Sequence, residues 1–231
     1  VGLRNPGAHA AAAFLARHAA DLPDVWGLSL SVSPGVDDVG RGRDELAEAA
    51  GAFATAFDGL HAGPAWLTLN LSCPNTEDDP RGNQSAELAR TLCAAVTEAI
   101  GVPLWVKVGP DLSDVQLRAL VEAFGQAGVR AVVATNTLAA PDPDGTGMAG
   151  VSGSRLRPLT LDTVTRLNGL IDVSGVGLDI VASGGILGGA DLRAMRDAGA
   201  VAGMLYTALV LRGPLEAALI QREAVRGDSH D

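Results

Sequence analysis

The sequence predicts a parallel α/β fold, a TIM (β/α)8 barrel with about six of its eight strand–helix units present, and three observations carry that expectation. Short apolar runs alternate with longer Ala/Leu patterns, as repeated strand–helix units require. The short runs are nearly continuous in apolar residues, which marks parallel strands covered by helices. Polar and glycine residues sit just past most runs: the 70–75 segment, Lys107, Asn136 and Thr137, Ser183 to Gly185, and Tyr206 with Thr207. Barrel enzymes collect their chemistry on that one face from many strands, whereas an open doubly wound sheet concentrates it at one switch point.

The strand candidates, in order, are 26–32, 66–72, 104–108, 131–136, 180–183 and 202–206. Between and around them the helix candidates are 7–19, 43–56, 85–100, 113–127, 160–168, 189–198 and 214–222. Ser113 precedes Val115, Leu117, Leu120 and Val121, an N-cap followed by an amphipathic pattern. No linker or break in composition divides the chain, so one domain over 1–231 is expected. A barrel needs eight strands. The chain also starts abruptly at Val1, just before a turn-like Asn5-Pro6-Gly7, so the expectation is a barrel that is incomplete at its N-terminal end.

A chain of 231 residues can bury one sizeable core. Apolar residues make up 47% but aromatics only 3%, a palette suited to small-residue helix–sheet packing. The net charge of −10 repels phosphate backbones, which argues against a nucleic-acid partner. Two cysteines, Cys73 and Cys93, make no disulfide framework, and neither has a CxxC or His-rich setting for structural zinc. No metal site is expected. A reducing, cytoplasmic setting fits, with no signal-peptide pattern and no apolar run that spans a bilayer. Peripheral membrane association would need a segment upstream of Val1.

Lys107, the single lysine, lies within an apolar strand run. It reads either as a side chain snorkelling to water or as a fixed positive charge at the barrel mouth. In the second role it would stabilise a developing anion such as a reduced flavin or an enolate. Cys93 sits among Leu92, Ala94 and Ala95 and reads as an inert core thiol. Cys73 differs, because Asn70, Ser72 and Asn75 surround it at a catalytic-face position. A thiolate there would serve as nucleophile or general base. The acidic 76–83 loop beyond it reads as a lid or as an ordinary solvated loop. Thr135, Asn136 and Thr137 offer neutral donors and acceptors, suited to a pyrimidine or flavin ring or to a simple turn. Ser152 and Gly153 lie in a long 138–158 connection, of the kind that often carries function. Ser183, Gly184 and Gly185 end the next-to-last strand, and Tyr206 and Thr207 end the last. Loops at those two places form a phosphate cradle in barrel enzymes.

Read together, these segments resemble dihydroorotate dehydrogenases. Leu69-Asn70-Leu71-Ser72-Cys73-Pro74-Asn75 is the most specific match, resembling the family's active-site motif. Val106-Lys107-Val108-Gly109-Pro110-Asp111-Leu112 resembles its flavin-lysine strand, and Ala134-Thr135-Asn136-Thr137 with the 150–153 loop its substrate strand. Ser183-Gly184-Gly185-Ile186 and Tyr206-Thr207-Ala208-Leu209 resemble its phosphate-binding end. Nearly the whole chain is covered, in the family's order.

The resemblance implies FMN at the barrel mouth and oxidation of dihydroorotate to orotate in de novo pyrimidine (UMP) biosynthesis. It implies Cys73 as the base, with hydride passing to FMN. Asn70, Asn75, Asn136 and Thr137 would bind substrate. Lys107, Thr135, Ser152, Gly153, Ser183, Gly184, Gly185, Tyr206 and Thr207 would bind the cofactor. The family carries further N-terminal sequence before the part matched here. The Thr76-Glu77-Asp78-Asp79-Pro80 segment is more acidic than usual, which leaves the substrate's identity open. A cysteine base resembles the soluble class, whereas Pro110-Asp111-Leu112 and Thr135-Asn136-Thr137 look closer to the quinone-linked class. The electron acceptor therefore stays open among fumarate, NAD through a partner subunit, and quinone. A homodimer also stays open.

Three rival readings stand beside this one. A related flavin barrel acting on another pyrimidine, like dihydropyrimidine dehydrogenase, would share the Asn-x-x-Cys-Pro segment. Among such flavin barrels, a tRNA dihydrouridine synthase is disfavoured by the acidic balance and single lysine. A phosphosugar isomerase or aldolase would use Lys107 but leave Cys73 idle. A degenerate, non-catalytic barrel is the non-enzymatic alternative.

Overall fold

A computed structural model describes residues 5–33, 36, 38–58, 63–71, 85–142, 144–145 and 147–227. Its centre is a six-stranded parallel sheet, ordered β1-β2-β3-β4-β7-β8, that curls into a half-barrel. The strands are β1 (Gly27–Leu30), β2 (Trp66–Asn70), β3 (Leu104–Val108), β4 (Ala131–Ala134), β7 (Asp179–Ser183) and β8 (Ala202–Met204). All six fall on expected runs. Most are shorter, because the polar residues at their C-terminal ends leave the ladder for the mouth. A second, antiparallel pair joins β5 (Leu138–Pro141) to β6 (Met148–Val151) inside the long connection after β4. That hairpin is not legible in the sequence, since its short, half-buried strands have no clear apolar periodicity.

The helices are α1 (Ala8–Arg17), α2 (Val39–Ala56), α3 (Ala86–Ala99), α4 (Asp114–Gln126), α5 (Arg157–Ser174), α6 (Gly189–Asp197), α7 (Thr207–Arg212) and α8 (Glu216–Gly227). Helix α4 starts at a full capping box: Ser113 Oγ accepts from the Gln116 N–H, and Gln116 Oε1 accepts from the Ser113 N–H. Helix α5 is longer than its expected 160–168 span. Pro158 suits its first turn, and Gly175 in the left-handed region stops it. The short α7 has no counterpart among the expected helices.

The parallel register divides the sheet into two faces. Leu67, Leu69, Leu104, Val106, Val108, Val132, Ala134, Ile180 and Ala182 join the main core with the covering helices. The alternate residues face the barrel interior. Asn70 lies beside Lys107, Lys107 beside Val133, and Val133 beside Val181. One layer lower, Thr68 lies beside Trp105 and Trp105 beside Ala131. Ala131, Val133 and Val181 bury together against Trp105, and the Trp66 and Trp105 rings stack at 4.4 Å. The interior thus has an apolar floor and a polar rim.

Cys93 lies in the main core between α3 and its neighbours, fully buried. Burial disfavours the thiolate and pushes the thiol up to about 12. The native state therefore holds this proton more tightly than the unfolded chain does. The resulting stability is intact below the thiol's ordinary value of 9.0 and is lost as the pH climbs towards 12. Alkaline denaturation of wild type is expected to show an extra slope of about 1.4 kcal/mol per pH unit in that window. The slope should be absent from Cys93→Ala, and an equal slope in both proteins would count against the assignment. In a Cys73→Ser background, a thiol reagent at neutral pH should label Cys93 only after unfolding.

Two glycines with nearly the same backbone give an internal comparison. Gly128 has φ +71° and open space where a Cβ would go. Gly185 has φ +75°, but a Cβ there would lie 2.5 Å from the Arg157 Cα. Gly128→Ala is expected to cost about 1 kcal/mol, the left-handed penalty alone. Gly185→Ala should cost on the order of 2–4 kcal/mol, because backbone cannot move aside as a flexible side chain would. Urea denaturation of the two variants checks the difference, and equal losses would mean that the loop yields.

Candidate active site at the C-terminal mouth of the sheet

The polar rim opens into a cleft of about 270 Å³. Lys107 enters from the end of β3, and Thr135, Asn136 and Thr137 from just past β4. Ser152 and Gly153 come from the segment after β6, Ser183 to Gly185 from the end of β7, and Tyr206 and Thr207 from beyond β8. Four different strand ends thus converge on one cavity, along with the end of the hairpin. Every sequence-predicted cofactor residue lines it, as do Asn136 and Thr137 of the predicted substrate set.

Asn70 is not a lining residue, but it reaches the same place through a hydrogen bond. The Asn136 amide donates to Asn70 Oδ1 at 3.2 Å, and Asn136 Oδ1 accepts from the Thr137 N–H at 2.9 Å. One side-chain amide is thereby fixed at both ends, with β2, β3 and β4 supplying the frame. Its backbone N–H also bonds the Val108 carbonyl at 2.8 Å. Cys73 and Asn75 lie outside the described residues.

The back of the cleft is built from threonines and glycines. Buried Thr135 meets Thr160 hydroxyl to hydroxyl at 3.4 Å, and its N–H donates to the Ser183 carbonyl at 2.6 Å. A Cβ on Gly184 would lie 2.6 Å from Leu156 Cδ2 and 2.7 Å from Thr160 Oγ1, so the turn after β7 lies directly on the start of α5. Its φ of +121° is itself glycine territory. On the other wall Thr207 Oγ1 donates to Ser152 Oγ at 3.3 Å, which joins the segment after β6 to the loop after β8. Among the described residues, no acceptor takes the N–H of Gly184, Gly185 or Tyr206. These donors are available to an anion.

Among the described lining residues Lys107 is the one charged side chain. It places a positive charge at the mouth of a sheet in a protein whose net charge is −10. Leu156, Ile186, Met204 and Leu205 supply an apolar wall that sequence reasoning missed. So did Thr160, the buried partner of Thr135. No local signal marks these five, because each becomes part of the site only when α5 and the β7 and β8 loops come together.

Comparison with known proteins bears on this arrangement. The family model described as dihydroorotate dehydrogenase matches residues 1–226. A protein of Leifsonia xyli subsp. xyli named dihydroorotate dehydrogenase (quinone) is 34% identical over 232 residues, covering 96% of this chain and 64% of its own length. One of Bordetella parapertussis with the same name is 34% identical over 191 residues, covering 77% of this chain and 54% of its own. The chain therefore spans roughly half to two thirds of the length of these relatives. The crystal structure of DHODH in complex with ferulenol from Eimeria tenella superposes with a TM-score of 0.78 at 21% identity, covering 96% of this chain and 64% of that one. At that identity the match speaks to fold, and the fold is the barrel that the strand–helix alternation predicts. With the family model matching almost end to end and relatives at one-third identity, the chain belongs to the dihydroorotate dehydrogenase family.

Proposed function

We propose that this chain carries the flavin and substrate site of an FMN-dependent dihydroorotate dehydrogenase, which oxidises dihydroorotate to orotate in pyrimidine biosynthesis. The observation that carries the reading is the convergence of Lys107, Asn136, Thr137 and the glycine turns in one cleft. The cleft fits FMN on its own chemistry. Unclaimed N–H groups at Gly184, Gly185 and Tyr206 suit a phosphomonoester, and the apolar wall suits a ring system. Thr135, Ser152, Gly153, Ser183 and Thr207 complete the lining that would hold it.

When bound, FMN supplies the acceptor for the hydride that leaves C6 of dihydroorotate. The protein supplies the rest. Cys73, as thiolate, takes the proton from C5, and the electron pair of that C–H bond becomes the second bond between C5 and C6. Asn136, braced by Asn70, presents a fixed amide to the pyrimidine, and Thr137 and Asn75 hold its remaining polar edge. Lys107 would help hold the cofactor and would supply the positive charge that stabilises its reduced, anionic form. A quinone as the next electron acceptor is supported by the names of the relatives. It also agrees with the Pro110-Asp111-Leu112 and Thr135-Asn136-Thr137 segments.

The test is anaerobic bleaching of bound FMN by dihydroorotate, with wild type and Cys73→Ala side by side. The variant is expected to bind FMN normally and to bleach about 10²- to 10⁴-fold more slowly. If wild type binds FMN but dihydroorotate leaves it oxidised, the substrate assignment fails, and uracil-type pyrimidines in the same assay identify the alternative.

A further inference from the structure

The turn that presents Gly184 and Gly185 to the cleft is held from behind by two ion pairs that never touch the cleft. Both act on Leu187. Its N–H donates to Asp191 Oδ2 at 2.9 Å, and its carbonyl accepts from Arg212 Nη1 at 2.8 Å. Each partner is anchored elsewhere. Asp191 Oδ1 takes Arg157 Nη1 at 2.5 Å, and Arg157 is the first residue of α5, lying directly against Gly185. Arg212, at the end of α7, also donates to Glu216 Oε1 at 2.7 Å. Three chain segments therefore meet at the residue that follows cleft-lining Ile186.

Burial is one-sided in both pairs, since Arg157 and Arg212 are 52% and 54% exposed while their carboxylate partners are withdrawn from water. The side chains of Glu216 and Asp191 are only 8% and 13% exposed. Withdrawing carboxylates from water is costly unless hydrogen bonds and charge compensate. Asp191 is also the acidic residue of the first turn of α6 and complements its helix dipole, but that role needs neither Arg157 nor Arg212. The N-cap of α6 is Gly188, which caps with no side chain, and a serine or aspartate there would do that work locally. A glycine turn, by contrast, has unusual conformational freedom. Donors aimed at an anion lose their value when displaced by a fraction of an ångström, so such a turn needs bracing.

We propose that Arg157–Asp191 and Arg212–Glu216 form a positioning clamp that fixes the Gly184-Gly185-Ile186 turn on a phosphomonoester, with Asp191 as its central residue. This rests on the flavin-phosphate reading of the cleft. The clamp acts through Leu187 and touches no ligand atom. It therefore governs affinity for the phosphate end of the ligand and leaves the ring end alone.

FMN and riboflavin differ by that phosphate, which makes them the probes. Their dissociation constants are to be measured by fluorescence titration of the purified chain and of Asp191→Asn and Arg157→Gln, with thermal melts in parallel. Arg157→Gln is the gentler change, because Asp191 keeps its bond to Leu187 and the exposed guanidinium alone is lost. Both variants are expected to weaken FMN binding by about 10- to 100-fold, by analogy with the loss of an outer-shell partner of a metal ligand. Riboflavin binding should stay at the wild-type level. Parallel weakening of both ligands, or unchanged FMN binding in a folded variant, would overturn the clamp and leave the flavin reading intact. Wild type that binds riboflavin as tightly as FMN would instead overturn the phosphate reading, and the clamp with it.

Discussion

The parallel register of β2, β3, β4 and β7 is the constraint on which the rest of this structure depends. Once Asn70, Lys107, Val133 and Val181 are placed side by side, every alternate residue is committed to one face. Leu69, Val106, Val132 and Ile180 must then point to the helices, where burial removes them from water and supplies the main stabilisation. A slip of one residue in β3 would bring valine into the mouth and turn Lys107 into the helix layer.

The floor and the rim of the interior follow from the same register. Trp105 and Trp66 fill the lower layer with stacked rings, backed by Ala131, Val133 and Val181. Those residues fill the interior beside and below Lys107, and the cleft lies at the C-terminal end of the strands. Small interior side chains beside the tryptophans are what the low aromatic content and high alanine content of the chain allow. With the floor filled, Lys107 and the polar residues beyond β4 and β7 are the groups left to meet a ligand.

The rim is assembled by contacts between loops more than by the loops themselves. Thr135 is held by Thr160 and Ser183, Asn136 by Asn70, and Thr207 by Ser152. The glycine turn after β7 lies on the start of α5 so closely that no side chain fits at Gly185. Site geometry is thus borrowed from helix packing: move α5, and Gly184, Gly185 and Thr160 move with it. Most residues that line the cleft are neutral, Lys107 being the charged one among those described, and the Arg157–Asp191 and Arg212–Glu216 pairs lie outside that lining.

By itself the sequence determined the strand–helix alternation, the six strands of the main sheet and the identity of most cleft residues. Each of these leaves a local mark: an apolar run of strand length, a glycine pair or an asparagine at its end, a lone lysine in an apolar strand. It also marked Cys93 as a core thiol, through the apolar helix around it. Only the tertiary structure decided the β5–β6 hairpin, the apolar wall of Leu156, Ile186, Met204 and Leu205, the Asn70–Asn136 brace and the contact of Thr160 with Thr135. Those features join residues separated by tens of positions, or lie in segments with no periodicity. Their stability comes from the partner that folding supplies, and no property of the local sequence encodes that partner.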